Sequence, residues 1–459
     1  MSRRAARLAL VALVAAALSS SAVRAQVVGE LVIDDNTKTT DETVRYLAGV
    51  DEGDPFRPDD IARIESDLVD SGLFKDVQVF YETLGTRDGE EVVRVTILVK
   101  DRHSWAVAPT FFFQPTNRGG GFGYGETNLF GENKQVVVYG QLATGDSMFL
   151  AGYRDPQVGH TPFLWQAELW LRRDRTFEYA PPGSFLDDAP RVRETKLNVL
   201  RAGLRAGVTL FRSASLNWRL RGGYVFYDNT RLTEGAAIED VTGDPSVEDV
   251  PDPGVDGWDL WSRYDLEYDR RANYYGIVTG DYLGLQLRHA LPFFGSDFDY
   301  WIATAEGAMA REPVQTHNLV LRASVDYGRD LPFQHELTSG GLRLRGYAND
   351  QFRGDFKAAA NVEYSLPVMT IRGFSVRGLA FVDSSYTAFL NFDGGDGSRH
   401  YLPGHGELGR YGLAPFKNAV GLGSRLYWRQ VALPLLGLDV GYGLESGAVE
   451  VYFALGLSD

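Results

Sequence analysis

Cysteine is absent from all 459 residues. That excludes a disulfide framework, thiolate zinc sites, iron–sulfur clusters and thiol catalysis. Positive charge is in deficit, with 46 Lys and Arg against 61 Asp and Glu and a formal net charge of −15. A nucleic-acid partner is therefore not expected, because phosphate backbones demand the opposite sign. Beyond residue 25 no apolar run approaches the roughly 18–20 residues of a membrane-spanning helix. Enzyme signatures are also missing: there is no Gly-x-Ser-x-Gly elbow, no His-Glu-x-x-His and no P-loop. The seven histidines are scattered, and His400 with His405 falls in a loop. The expectation is no catalytic residue, no metal and no cofactor. Arg353-Gly354-Asp355 matches a cell-attachment tripeptide, and the glycine-rich stretch at 393–397 reads as a loop tip.

What is present falls into three parts: a signal peptide at 1–25, an α/β module at 26–101 and a β-domain at 102–459. Arg3, Arg4 and Arg7 precede an apolar run too short to span a bilayer, and Val23 and Ala25 fit a small-residue cleavage site. In the module, 27–34 reads as a strand. Thr40 can cap a helix over Asp41–Ala48 that ends at Gly49. Pro58 suits the first turn of a second helix, whose apolar face is Ile61, Ile64 and Leu68. Strands at 77–81 and 92–99 complete a β-α-α-β-β order.

From Trp105 onward the pattern is alternation. Leu200, Ala202, Leu204, Ala206 and Val208 point one way, with Arg201, Gly203, Arg205 and Gly207 the other; 216–221 and 319–327 repeat it. In a soluble sandwich the apolar set would face a core, and in a membrane barrel it would face lipid. Connection lengths separate the two readings. Tight ones at 212–214, 311–315 and 371–373 alternate with long ones at 175–193, 229–257, 328–355 and 384–416. That asymmetry, with about sixteen antiparallel strands, predicts an all-β transmembrane barrel. The aromatic pairs Phe293-Phe294 and Tyr427-Trp428 suit interfacial girdles.

Gly53 and the segment SGLFKDVQV at 71–79 resemble the POTRA (polypeptide-transport-associated) domain. Residues 340–367, with an Arg345-Gly346-Tyr347 core, resemble the sixth external loop and following strand of the outer-membrane assembly and surface-antigen superfamily of BamA- and TamA-like barrels. NLFG at 128–131, DPQVG at 155–159 and LAFVDSS at 379–385 fit the same pattern in order. The resemblance implies a Gram-negative outer-membrane protein with a periplasmic POTRA-like domain, which inserts or transports proteins. Its implied partners are the bilayer, and unfolded clients or periplasmic proteins that meet residues 26–101. A passive pore, a lipid-handling channel and a surface antigen or adhesin remain the alternatives. Two departures stand out: Ser385 occupies a family glycine position, and the chain ends without a terminal aromatic.

In that superfamily the loop folds into the lumen and its arginine meets acids. Alternation independently directs Glu363 and Asp383 inward, which makes them the expected partners of Arg345. A second expected site is the seam between the first strand, carrying Pro109, and the last strand at 449–457, carrying Phe453. Proline cannot donate to a ladder. The glycine-rich second strand is expected to hold the first one loosely.

Overall fold

The computed structural model describes residues 26–87, 89–179, 191–211, 213–232, 254–274, 276–390, 416–428 and 431–455. The expected signal peptide, the 393–397 stretch, His400 and His405 lie outside the described residues. Chain contacts divide the molecule into two units, one running to Ser104 and including 127–134, the other comprising 105–126 and 135–459.

The first unit contains β1 (Gln26–Asp34), α1 (Asp41–Ala48), β2 (Pro55–Phe56), α2 (Asp60–Asp70), β3 (Phe74–Arg87) and β4 (Glu90–Asp101). Its sheet runs β2-β1-β4-β3, with β1 parallel to β4. Thr40 caps α1 by accepting a hydrogen bond from the Thr43 amide at 3.3 Å, and left-handed Gly49 ends it. Val44, Ile64 and Leu68 from the helices meet Val93, Val95 and Ile97 of β4 in one aliphatic core. Three features differ from the sequence expectation. The two-residue β2 is an added strand, and the hairpin strands are longer at both ends. Helix α2 starts at Asp60, because Pro58 belongs to the preceding turn, where its carbonyl accepts from Ile61 N at 3.3 Å.

The second unit is a closed barrel. Its strands are β5 (Trp105–Phe113), β6 (Arg118–Leu129), β7 (Lys134–Ala143), β8 (Asp146–Asp155), β9 (Phe163–Tyr179), β10 (Arg191–Phe211) and β11 (Ala214–Leu232). There follow β12 (Gly257–Asp269), β13 (Ala272–Tyr274), β14 (Ile277–Ala290), β15 (Trp301–Arg311) and β16 (Asn318–Arg329). After a short loop ribbon, β17 (Leu337–Ser339) with β18 (Phe352–Gly354), come β19 (Phe356–Ile371), β20 (Phe374–Ala388), β21 (Lys417–Trp428), β22 (Val431–Gly443) and β23 (Val449–Leu455). β12 breaks at Arg270 and Arg271 and resumes as β13, so the two make one strand, and sixteen antiparallel strands close the barrel through β23 and β5.

Alternation decides which side chains meet inside. Along β10 and β11, Leu200, Leu204, Leu216 and Trp218 stand exposed on the outer wall, while Asn217 and Val225 are buried within. The turn between β19 and β20 is two residues, Arg372 and Gly373, both at positive φ (45° and 91°). This is the twist-matched hairpin connection. At the opposite end β16 and β19 are joined by the long 330–355 loop. Phe293 and Phe294 sit in a 3-10 turn just past the end of β14.

Candidate functional site

The 330–355 loop turns into the barrel and is held there by polar groups. Its first hold is near the ribbon. Arg353 donates from Nε to Glu336 Oε2 at 2.7 Å and from Nη2 to the Phe333 carbonyl at 2.8 Å, and its guanidinium lies over the Phe333 ring. The Arg353-Gly354-Asp355 tripeptide is thus buried, unlike an attachment loop. His335 Nε2 donates to Asp259 Oδ2 at 2.7 Å, and Tyr300 Oη donates to Asp259 Oδ1 at 3.0 Å. With Arg288 Nη1 facing His335 Nδ1 at 3.5 Å, the network assigns the neutral Nε2–H tautomer. Burial pushes the His335 pKa below its ordinary value; Asp259 opposes that, and Arg288 and Arg201 add to it.

The second hold is Arg345. Its Nε and Nη2 fork onto Asp383 at 2.8 and 2.9 Å, and its backbone amide donates to the same carboxylate at 3.1 Å. Nη1 donates to Asp439 Oδ2 at 3.1 Å and lies 3.6 Å from Glu363 Oε2. The guanidinium also stacks 3.3 Å from the Phe381 ring centroid. Burial works against the charge, but the hydrogen bonds and attraction of Asp383, then Asp439 and Glu363, raise the Arg345 pKa above the usual value. Asp439 is itself bridged by Arg425 at 2.6 and 2.9 Å. The result is a charge-assisted network, in which a bidentate fork is the strong element.

Gly346 and Tyr347 complete the hold. At φ 102°, Gly346 lies so close to β22 that an added Cβ would sit 2.5 Å from Gly443 N. Glycines 441 and 443 leave room for this approach of loop backbone to strand backbone. Gly346 N donates to Tyr452 Oη at 3.1 Å, and that hydroxyl donates to the Tyr347 carbonyl at 2.9 Å. Tyr347 Oη donates to Glu445, which also accepts from the Asn418 amide and Nδ2, each at 2.7 Å. Sequence reasoning named Glu363 and Asp383 and missed Asp439, Arg425, Tyr452 and Glu445. Glu363 is the more distant acid and Asp439 the closer one. A signal existed for Asp439, since it alternates with Leu438, Val440 and Tyr442 on the opposite face of β22.

Below the loop lies a cavity of about 1040 Å³, lined among others by Tyr139, Glu306, Asn361, Glu363, Arg425 and Phe453. Among the described residues no group of three or more His, Asp or Glu side chains is arranged to hold a metal ion.

At the seam, among the described residues, which end at Leu455, β23 and β5 share three residue pairs: Phe453 with Phe113, Ala454 with Phe112, and Leu455 with Phe111. The flanking ladders β5–β6 and β22–β23 have nine and seven. Pro109 lies opposite Phe122 on β6. Backbone bonds from Gln114 N to Asn117 O and from Thr127 N to Ser104 O fix the alternation, so 109–122 is a non-hydrogen-bonded pair. Its missing donor therefore faces the seam and costs β6 nothing. The β5–β6 ladder is continuous over its nine residue pairs. On its other side the glycines of β6 let its backbone close up on β7, where an added Cβ at Gly119 would come 2.3 Å from Leu142 O.

A closed sixteen-strand antiparallel barrel, apolar outside and charged within, carrying a loop folded into its lumen and a small α/β unit ahead of it, is a Gram-negative outer-membrane protein. Residues 128–444 match the Omp85 superfamily domain, and the chain belongs to that superfamily of outer-membrane translocation and assembly proteins. Its fold is similar to BamA from Haemophilus ducreyi lacking POTRA domains 1–3, with a TM-score of 0.62 at 15% identity over 94% of this chain and 84% of that one. It is also similar to CdiB from Acinetobacter baumannii, with a TM-score of 0.61 at 14% identity over 94% and 74% of the two chains. CdiB from Escherichia coli follows with a TM-score of 0.53 at 12% identity over 96% and 92%. At these identities the likeness is one of fold. No curated protein matches the chain.

Proposed function

We propose that this protein inserts or translocates polypeptides at the outer membrane, by opening the β23–β5 seam to the edge of a client strand. The observation that carries the reading is the seam, which has three pairs among the described residues and toward which Pro109 contributes no donor. An under-paired edge in a lipid environment is costly to leave open, so it favours pairing with an incoming strand. Residues 26–101 act in this reading as a periplasmic, POTRA-like unit. Its sheet ends on β3, which bears the exposed Phe80 and Leu84 and pairs on one side with β4, an edge suited to extended segments. The Arg345–Asp383–Asp439 network keeps the loop seated while the seam works.

The test uses the absence of native cysteine. Phe112 and Ala454 are directly opposed across the seam. As a non-hydrogen-bonded pair, their Cα atoms are roughly 4.5 Å apart, within disulfide reach. Phe112→Cys with Ala454→Cys, oxidised, should stop insertion of an unfolded barrel client into proteoliposomes, and reduction should restore it. Full insertion with the seam locked would overturn opening at the seam, and no insertion in either state would favour the passive-channel reading instead.

A further inference from the structure

A band of arginines runs across the inner wall at one level. Arg205 on β10 is directly opposite Arg219 on β11, Arg219 opposite Arg263 on β12, and Arg263 opposite Arg288 on β14. On the other side Arg205 pairs with Gln166 of β9, which pairs with Arg154 of β8. Like charges directly opposite in a ladder are destabilising. Four in succession, spanning three strand spacings or roughly 14 Å, are not explained by packing.

The acids nearby do not balance them. Arg205 lies 3.5 Å from Glu267, and Arg263 lies 2.8 Å from Asp265. Glu168 is held by Arg221, and Asp259 by His335 and Tyr300. Arg154 and Arg219 have no carboxylate within 4 Å among the described residues. The buried Nε atoms of Arg154, Arg205, Arg219 and Arg288 find no acceptor among the described protein groups. This excess of cation sits inside a chain whose net charge is −15.

We infer that the Arg154–Arg205–Arg219–Arg263–Arg288 band is a binding site for an anion carrying several phosphate groups. Guanidinium forks match phosphate oxygens in pairs, and rows of arginine line anion- and phosphate-selective passages. Consecutive strands present one fork each, so the ligand is an oligophosphate or a multiply phosphorylated headgroup rather than a single small anion. The inference rests on the barrel wall and does not depend on what passes the seam.

Calorimetric titration of the purified full chain in detergent with inorganic triphosphate tests the site. Binding should weaken as salt rises. It should weaken by about tenfold or more in Arg219→Gln and again in Arg205→Gln, the loss expected for a charge-assisted contact. Arg311→Gln removes the same charge from a turn arginine paired with Asp281 at 2.8 Å, and should bind as the parent does. A folded-barrel shift on unheated gels confirms that each variant is assembled, and Arg154→Gln replaces any that is not. A lipid with a bisphosphorylated headgroup doped into the micelle then assigns the source: displacement of triphosphate points to a lipid headgroup, and no displacement to a soluble anion. No binding by the parent protein, or equal loss in Arg311→Gln, overturns the inference.

Discussion

The α/β unit and the barrel solve the burial problem in opposite ways. In the first unit Val44, Ile64, Leu68 and Val93 are fully buried, and charges such as the Arg94–Glu30 pair stay at the surface. In the barrel Leu204 is 52% and Leu422 68% exposed, while Arg345, Asp383 and Asp439 are 4%, 1% and 3% exposed. One unit excludes water from hydrocarbon, and the other offers hydrocarbon to lipid and satisfies charge within. Each part is accordingly fragile in its own way. The apolar core responds to lost volume, whereas the lumen responds to a lost partner, since a buried charge left alone is costly.

The largest expected effect is therefore Arg345→Ala. It strips Asp383 of its guanidinium partner, while Asp439 keeps Arg425, a cost of about 3–5 kcal/mol for a broken buried ion pair. The heat-resistant folded band should be lost at lower temperature and insertion activity should fall, while export persists; unchanged behaviour in both assays would break the comparison. Next comes Ile64→Ala, which should destabilise the α/β unit by about 2–5 kcal/mol through a core cavity. Limited proteolysis should show that unit opening while the barrel's folded band stays put. A shift of both together would mean the two regions are not independent.

A smaller effect follows from His335. Its native pKa lies below the unfolded value because burial disfavours the cation. The unfolded state then binds more protons between the native value and about 6.5, so stability rises with pH through that window and falls on acidification. Barrel melting temperature should drop as pH is lowered below the ordinary histidine range, and His335→Gln should flatten the slope. The smallest effect should be Leu422→Ala in micelles. Surface sites away from special features usually lie within about 0.5 kcal/mol, whereas a large loss there would show that the outer wall packs like a core.

Much of this architecture was legible from periodicity. The 200–221 alternation placed Arg201, Arg205, Arg219 and Arg221 on one wall, because a side-chain period of two leaves no freedom once a face is assigned. Thr40 and Gly49 marked the ends of α1, as caps are local chemistry. Pro58 misled by two residues, since proline is as much at home in a turn as in a first helical turn. The two residues of β2 carried no period at all and exist because β1 offers them an edge.

Periodicity along the chain fixes which side chains face lipid, which face inward and where the chain reverses, whereas the inward course of the Arg345-Gly346-Tyr347 loop was implied by its family resemblance. Which inward groups meet depends on the assembled barrel. Asp439 reaches Arg345 across 94 residues of chain, and Arg219 stands between Arg205 and Arg263 because three strands are in that register. Facing is set residue by residue through backbone geometry. Partnership is set by strand register and barrel closure, which sum over the whole sheet and leave no trace in a short window of sequence.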